Sequence, residues 1–313
     1  MSAISTPLAV DPDTFQGRIR RLLVPVKPMP AETLHSYLYR VTEENHLFPG
    51  WLPRLAKKPG LLLKLAVLTG YSDHQLVAML PELRSPFHLR YWPHLIDTPS
   101  ARASSRAPCG HCQAVRLGGI DAAVSVYATH EQVICHRHHR WIGTHRIKCA
   151  VHEQFSIASC PEIITANRHH TRLITQWGRG PTRACFDDAM QCMMAWSRWT
   201  TVVADPDIQR RWKLLGVTEE TPPLRPPEIA AFYPNAVALT ELILKLRHRI
   251  AGAGRMTTEI AAYSVEMLST MVIAGLTPSG AGDPFRQALT DERPEPATEA
   301  ETYSEQTELK AGQ

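Results

Sequence analysis

The sequence is poor in the features that mark several large protein classes. Its longest uncharged stretch beside an apolar segment, Met267–Gly282, falls short of the roughly 20 residues a spanning helix needs and contains Pro278 and three glycines. No membrane association is therefore expected. The first fifteen residues hold Asp11 and Asp13 and no lysine or arginine, so a secretory leader is not expected either. Aromatic residues make up only 7% of the chain and alternating apolar–polar runs are scarce, which argues against a β-sandwich or barrel. There is no Gly-x4-Gly-Lys-Ser/Thr phosphate loop, and Gly252-Ala253-Gly254 lacks the strand and third glycine of a dinucleotide site. No repeat of fixed period is present. What remains is an ordinary globular composition, 44% apolar and 20% charged over 313 residues, enough for two or three domains.

Charge and metal-binding side chains are unevenly placed. The net formal charge is +4, yet Thr290 to Gln313 holds seven acids against two bases, leaving 32 bases and 23 acids in the other 289 residues. A basic body with an acidic tail suits a nucleic-acid partner and equally a solvated charged surface. Five of the seven cysteines lie between Cys109 and Cys160, and eleven of the fifteen histidines between His88 and His170. Without a leader, this clustering points to a reducing, cytoplasmic setting in which metal binding is favoured over disulfides.

Hydrophobic periodicity predicts a mainly α protein: an N-terminal helical domain with a helix-turn-helix-like hairpin, a small zinc-ribbon-like module and a C-terminal helical domain. The corresponding boundaries are a flexible arm over 1–22, the N-terminal domain over 23–100, the zinc module over 108–152, the C-terminal domain over 153–289 and a disordered acidic tail over 290–313. Pro25, Pro28 and Pro30 keep the lead-in extended, and Leu34, Tyr37, Leu38 and Val41 predict a helix from Ala31 to Asn45. Gly60 to Leu83 reads as two short helices around Gly70, the second capped by Ser72 with Gln75 completing a capping box. Residues 99–107 read as a polar linker, and Thr221–Pro227, with four prolines, as another. Asp205-Pro206 caps a helix closed by Gly216, two more helices are expected near 235–251 and 257–274, and Asp187-Asp188 reads as a solvated helix start.

Cys109-Gly110-His111-Cys112 is a C-x2-C pair, the spacing that lets two thiolates on one tight turn reach the same metal. After twenty-two intervening residues, Cys135-His136-Arg137-His138 offers a C-x2-H pair with the same local geometry, so Cys109, Cys112, Cys135 and His138 form a Cys3His set suited to structural Zn(2+). His111, His136 and His139 are alternatives for the fourth ligand. Cys149 and His152 could open a second site, completed by Cys160 with His169 or His170; simple packing of Cys149 and Cys160 is the competing reading. Three thiolates and an imidazole leave no open position for water, which argues against catalysis. Pro108-Cys109-x2-Cys112 matches half of a zinc-deaminase signature, but no His-x-Glu or Cys-x-Glu precedes it. His130-Glu131 and His152-Glu153 begin like metalloprotease motifs, but Ile134 and Ser156 stand where the second histidine must be. The chain is thus not expected to be an enzyme.

Ala66, Gly70 and Leu76 have helix-turn-helix spacing, and the second helix would present His74 and Gln75 near its N-terminus, where base-reading residues sit. A hairpin used only for packing explains the same pattern. A zinc-containing helix-turn-helix transcriptional regulator is one function consistent with both motifs.

The segment Pro28-Met29-Pro30-Ala31-Glu32-Thr33-Leu34-His35-Ser36-Tyr37-Leu38, with Arg40 and Glu44-Asn45, resembles the opening of TniQ-family proteins. Leu65-Ala66-x2-Thr69-Gly70 is similar to that family's next segment, and Cys109-x2-Cys112 with Ile134-Cys135-x-Arg137-His138 to its zinc half-sites. Arg140-Trp141, Pro161-Glu162-Ile163 and Arg168-His169-His170 resemble the continuation in actinobacterial members. The likeness spans about 28–175; Cys149-Ala150-Val151-His152 departs from the Cys-Pro-x-Cys that members often carry. The resemblance implies an accessory protein of DNA transposition that selects targets, with a transposase, an AAA+ ATPase and target DNA or a DNA-bound recognition complex as partners. A homodimer is a candidate assembly.

Overall fold

The computed structural model describes residues 20–290 apart from 49, 58, 120–122, 219–224 and 279–281. Most of the expected arm over 1–22, and the expected acidic tail beyond residue 290, lie outside the described residues. The described chain is mainly helical with two small antiparallel sheets. It forms two compact units: one comprises residues up to Gln132 with Thr144–Gln154, the other Val133–Gly143 with the residues from Phe155 onward.

In the first unit, α1 (Leu34–Glu44) starts three residues later than periodicity predicts. The cause is tertiary. The Ala31 carbonyl accepts from the Tyr127 amide at 2.7 Å and the Thr33 amide donates to the Ser125 carbonyl at 2.8 Å, so this segment serves as strand-like pairing before Thr33 caps the helix. Asn45 ends α1 and its side-chain amide pairs with both backbone groups of Val24, at 2.9 and 3.0 Å. After α2 (Trp51–Ala56), α3 (Leu61–Thr69) turns at Gly70, whose φ of 75° a side chain would strain, into α4 (Asp73–Met79). Ser72 and Gln75 make the expected capping box. Tyr37, Leu38, Val41, Leu52, Leu65, Leu68, Leu76 and Leu80 form one core around these helices. Helix α5 (Pro86–Tyr91) follows, then β1 (Ser104–Arg106), inside the segment read as a linker, because β2 (Val126–Ala128) supplies its antiparallel partner. Helix α6 (Gly110–Leu117) lies between those strands in sequence.

Beneath the start of α1 sits a buried ion pair. Arg40 Nη2 and Nε reach Glu32 Oε2 and Oε1 at 2.7 and 2.9 Å, with side chains 5% and 0% exposed. Glu32 also accepts from the Met29 amide and Ser36 Oγ, both at 2.9 Å, and Arg40 donates to the Lys27 carbonyl at 3.0 Å. Both Glu32 oxygens and the Nε and Nη2 of Arg40 are thereby engaged, the condition under which a buried charge is tolerated.

In the second unit, β3 (Ile134–Cys135), β4 (Arg140–Trp141) and β5 (Phe155–Ser156) form a three-stranded antiparallel sheet. Helices α7 (Pro161–Trp177), α8 (Arg179–Trp196), α9 (Thr200–Val203), α10 (Pro206–Leu215), α11 (Pro226–Ala253), α12 (Thr258–Met271) and α13 (Pro284–Thr290) follow. Helix α11 is central: α7, α8, α10, α12 and α13 all pack on it. It begins at Pro226, well before the expected start near 235. Pro226 and Pro227 occupy the first turn, where a missing N–H costs nothing, and Pro234 is carried inside the helix. Pro234 leaves the Ala230 carbonyl without its helical N–H, and the adjacent Ala231 carbonyl receives Arg211 Nε at 2.7 Å, a tertiary bond that local rules do not anticipate. By length and composition α11 could cross a membrane, but 72% of its most apolar window is buried within the protein. Asp188, expected on a solvated helix start, lies mid-way along α8, 3% exposed, and accepts from Arg247 Nη2 at 2.8 Å.

Candidate metal centre

The first cysteine pair is held on the N-terminal turn of α6. Cys109 is its N-cap residue and its carbonyl accepts from the Gln113 amide at 2.9 Å. Gly110 is required by close packing, since a Cβ there would stand 2.5 Å from Val151 Cγ1. Gln154, buried, brackets the same turn: Nε2 donates to the Pro108 carbonyl at 2.8 Å and Oε1 accepts from the Gly110 amide at 3.0 Å. One side chain thus satisfies the backbone on both sides of Cys109.

The second pair lies at the tip of the β3–β4 hairpin. Cys135 pairs with Arg140, which leaves residues 136–139 as the turn. His139 takes a left-handed φ of 45°, a conformation more usual for glycine, and its carbonyl accepts from the Ile157 amide at 2.8 Å. This tight turn brings His138 Nδ1 to 3.6 Å from Cys135 Sγ.

The ligand atoms of Cys109, Cys112, Cys135 and His138 all lie within 4.8 Å of one another, with Cys109 buried and the other three half-buried. Thiolate and imidazole atoms on a tetrahedral ion with 2.0–2.3 Å bonds stand about 3.3–3.8 Å apart, the same scale as this grouping. This group can therefore hold a metal ion, and its four ligands are the four that spacing singles out. His136 instead approaches Asn167 Oδ1 at 2.8 Å; Asn167 Nδ2 donates to the Tyr233 hydroxyl, which also meets His170 Nδ1, each at 3.0 Å. No disulfide joins any of the seven cysteines.

Among the described residues no second metal group comes together. Cys149 is buried and His152 exposed, and burial, with the Glu153 charge adding to it, pushes the Cys149 thiol up to about 12 against the opposing pull of Arg106. Cys160 is fully buried at the N-cap of α7, and burial raises its thiol as well. His169 is engaged with Glu241 at 2.9 Å and His170 with Tyr233. Of the residues expected to face DNA, Gln75 uses its side-chain oxygen to accept from the Ser72 amide and hydroxyl. The His74 ring lies edge-on to Trp92 at 4.9 Å. Gln154, the Glu32–Arg40 pair and the Asn167–Tyr233 string are absent from the sequence-based reading. Only Glu32, Ser36 and Arg40 carry a legible signal, their four-residue spacing on one side of a helix.

Compared with known proteins, the chain matches no family model, no curated protein and no solved structure.

Proposed function

We propose that this protein is a non-enzymatic, zinc-binding accessory protein of DNA transposition, an adaptor between target DNA, or a complex bound to it, and the transposase with its AAA+ ATPase. The observation that carries this reading is the convergence of three thiolates and one imidazole. A closed, sulfur-rich set favours Zn(2+) over hard cations and leaves no position for a reacting water. The transposition role rests on the joint resemblance of segments over about 28–175, of which the opening one supplies the Glu32–Ser36–Arg40 network. In this reading the motif is a folding element that seats α1 and leaves other surfaces for partners.

The reading predicts genes for a transposase and an AAA+ ATPase beside this one, and it is tested by co-purifying the tagged full chain with their products. Retention of the ATPase by the parent chain, and its loss with Cys112→Ser, is the expected result. Zinc-replete protein that retains neither partner and instead represses a promoter would favour a helix-turn-helix transcriptional regulator, a reading to which the capped α3–α4 pair also lends itself.

A further inference from the structure

Helix α5 is anomalous. Amphipathic helices in compact proteins bury an apolar face, yet none of the six residues of α5, which include Phe87, Leu89 and Tyr91, is buried. Phe87 and Tyr91, one turn apart, are 69% and 71% exposed. Their rings lie 6.0 Å apart with planes 21° from parallel. Beside them His88 stacks on Trp92 at 5.6 Å and 15°, and Tyr91 meets Trp92 edge-on at 5.7 Å. His74 and His94 complete the group, 5.8 Å apart. Between Glu82 and Asp97 the chain carries Arg84, His88, Arg90 and His94 and no acid. Glu82 itself is turned to other work, accepting from the Leu34 amide and the Tyr127 hydroxyl.

We propose that the Phe87–Tyr91 face of α5, bordered by Arg90 and His94, is a stacking platform for unpaired bases of a single-stranded nucleic acid. Exposed aromatic faces attract bases of any sequence, and Arg90 and His94, on a segment that carries no acid from 83 to 96, complement the phosphates beside them. Duplex DNA fits poorly. Its bases are already stacked on both faces, about 3.4 Å apart along the helix axis, and leave no face free for these rings. An unstacked, extended strand can lay successive bases on the two rings. Arg84 contributes charge only, since its guanidinium is bound to the carbonyls of Val77, Ala78 and Pro99. The proposal does not depend on the transposition reading.

The test is fluorescence anisotropy with the full chain at low salt, using labelled oligothymidine of about twenty nucleotides, longer than the ~4–16 that one stacking site covers, and a duplex of equal length. The expected result is salt-sensitive binding of the single strand in preference to the duplex. Phe87→Ala and Tyr91→Ala should each weaken strand binding by about tenfold, while Tyr91→Phe, which keeps the ring, should bind like the parent. Arg90→Gln should lower the salt slope by about 0.7, the value of one single-strand phosphate contact. Because both rings are exposed, circular dichroism and metal content should be the same in all variants. The proposal is overturned if the parent binds no strand, if the alanine variants bind as the parent does, or if the duplex is preferred. Self-association that disappears with the alanine variants, in the absence of strand binding, would assign the face to a second copy of the chain and equally overturn it.

Discussion

Replacing Arg40 by methionine keeps most of its stem and removes the guanidinium from the buried pair with Glu32. The Glu32 carboxylate, 0% exposed, would retain only the Met29 amide and Ser36 hydroxyl as donors. Stranding a buried charge in this way costs about 3–5 kcal/mol, and Glu32→Met should cost about as much by stranding the cation. The double replacement removes both charges together. Ser36 Oγ still meets the Ser125 amide at 3.1 Å, so the groups left without partners are the Met29 amide and the Lys27 carbonyl, a residual cost of about 1–3 kcal/mol. The two single costs sum to about 6–10 kcal/mol, so the double variant should be more stable than additivity allows by at least about 3 kcal/mol. Hydrogen exchange read by mass spectrometry over peptides from 34–44 reports this unit without contribution from the C-terminal helices. Additivity within about 0.5 kcal/mol, or single variants that exchange like the parent, would show that the pair contributes nothing specific and refute the argument.

Three further outcomes test the site. Cys112→Ser should abolish bound metal while Cys149→Ser, which removes a buried thiol outside the group, leaves it unchanged; elemental analysis of both proteins decides this, and equal metal in the two would sink the assignment. Gln154→Leu removes the clamp on Pro108 and Gly110 and should weaken metal retention by about 10–100-fold against a competing chelator, the usual effect of losing a group that orients ligands. His139→Gly relieves the left-handed φ of 45° and, after allowing for glycine's extra freedom in the unfolded chain, should stabilise the hairpin by up to about 1 kcal/mol. A lower thermal midpoint for that variant would show that the His139 side chain contributes more than its backbone costs.

Much of this protein is decided by local sequence. The two x2 spacings single out Cys109, Cys112, Cys135 and His138 because ligand pairs on tight turns depend only on nearby backbone geometry. Gly70, the Ser72–Gln75 box and the Asp205-Pro206 cap follow from short-range hydrogen bonding and were legible for the same reason. Tertiary structure decided what depends on distant partners. It delays α1 to Leu34 because Ala31 and Thr33 hydrogen-bond to Tyr127 and Ser125, and it makes a strand of Ser104–Arg106 because β2 pairs with it. It carries α11 through Pro234, since burial against its neighbouring helices outweighs a local helix breaker. It also separates cysteines that composition alone treats alike. Cys149 and Cys160 pack as neutral thiols, and the imidazoles that spacing offered them are exposed or bonded elsewhere, because no short motif dictates which side chains long-range packing turns toward one another.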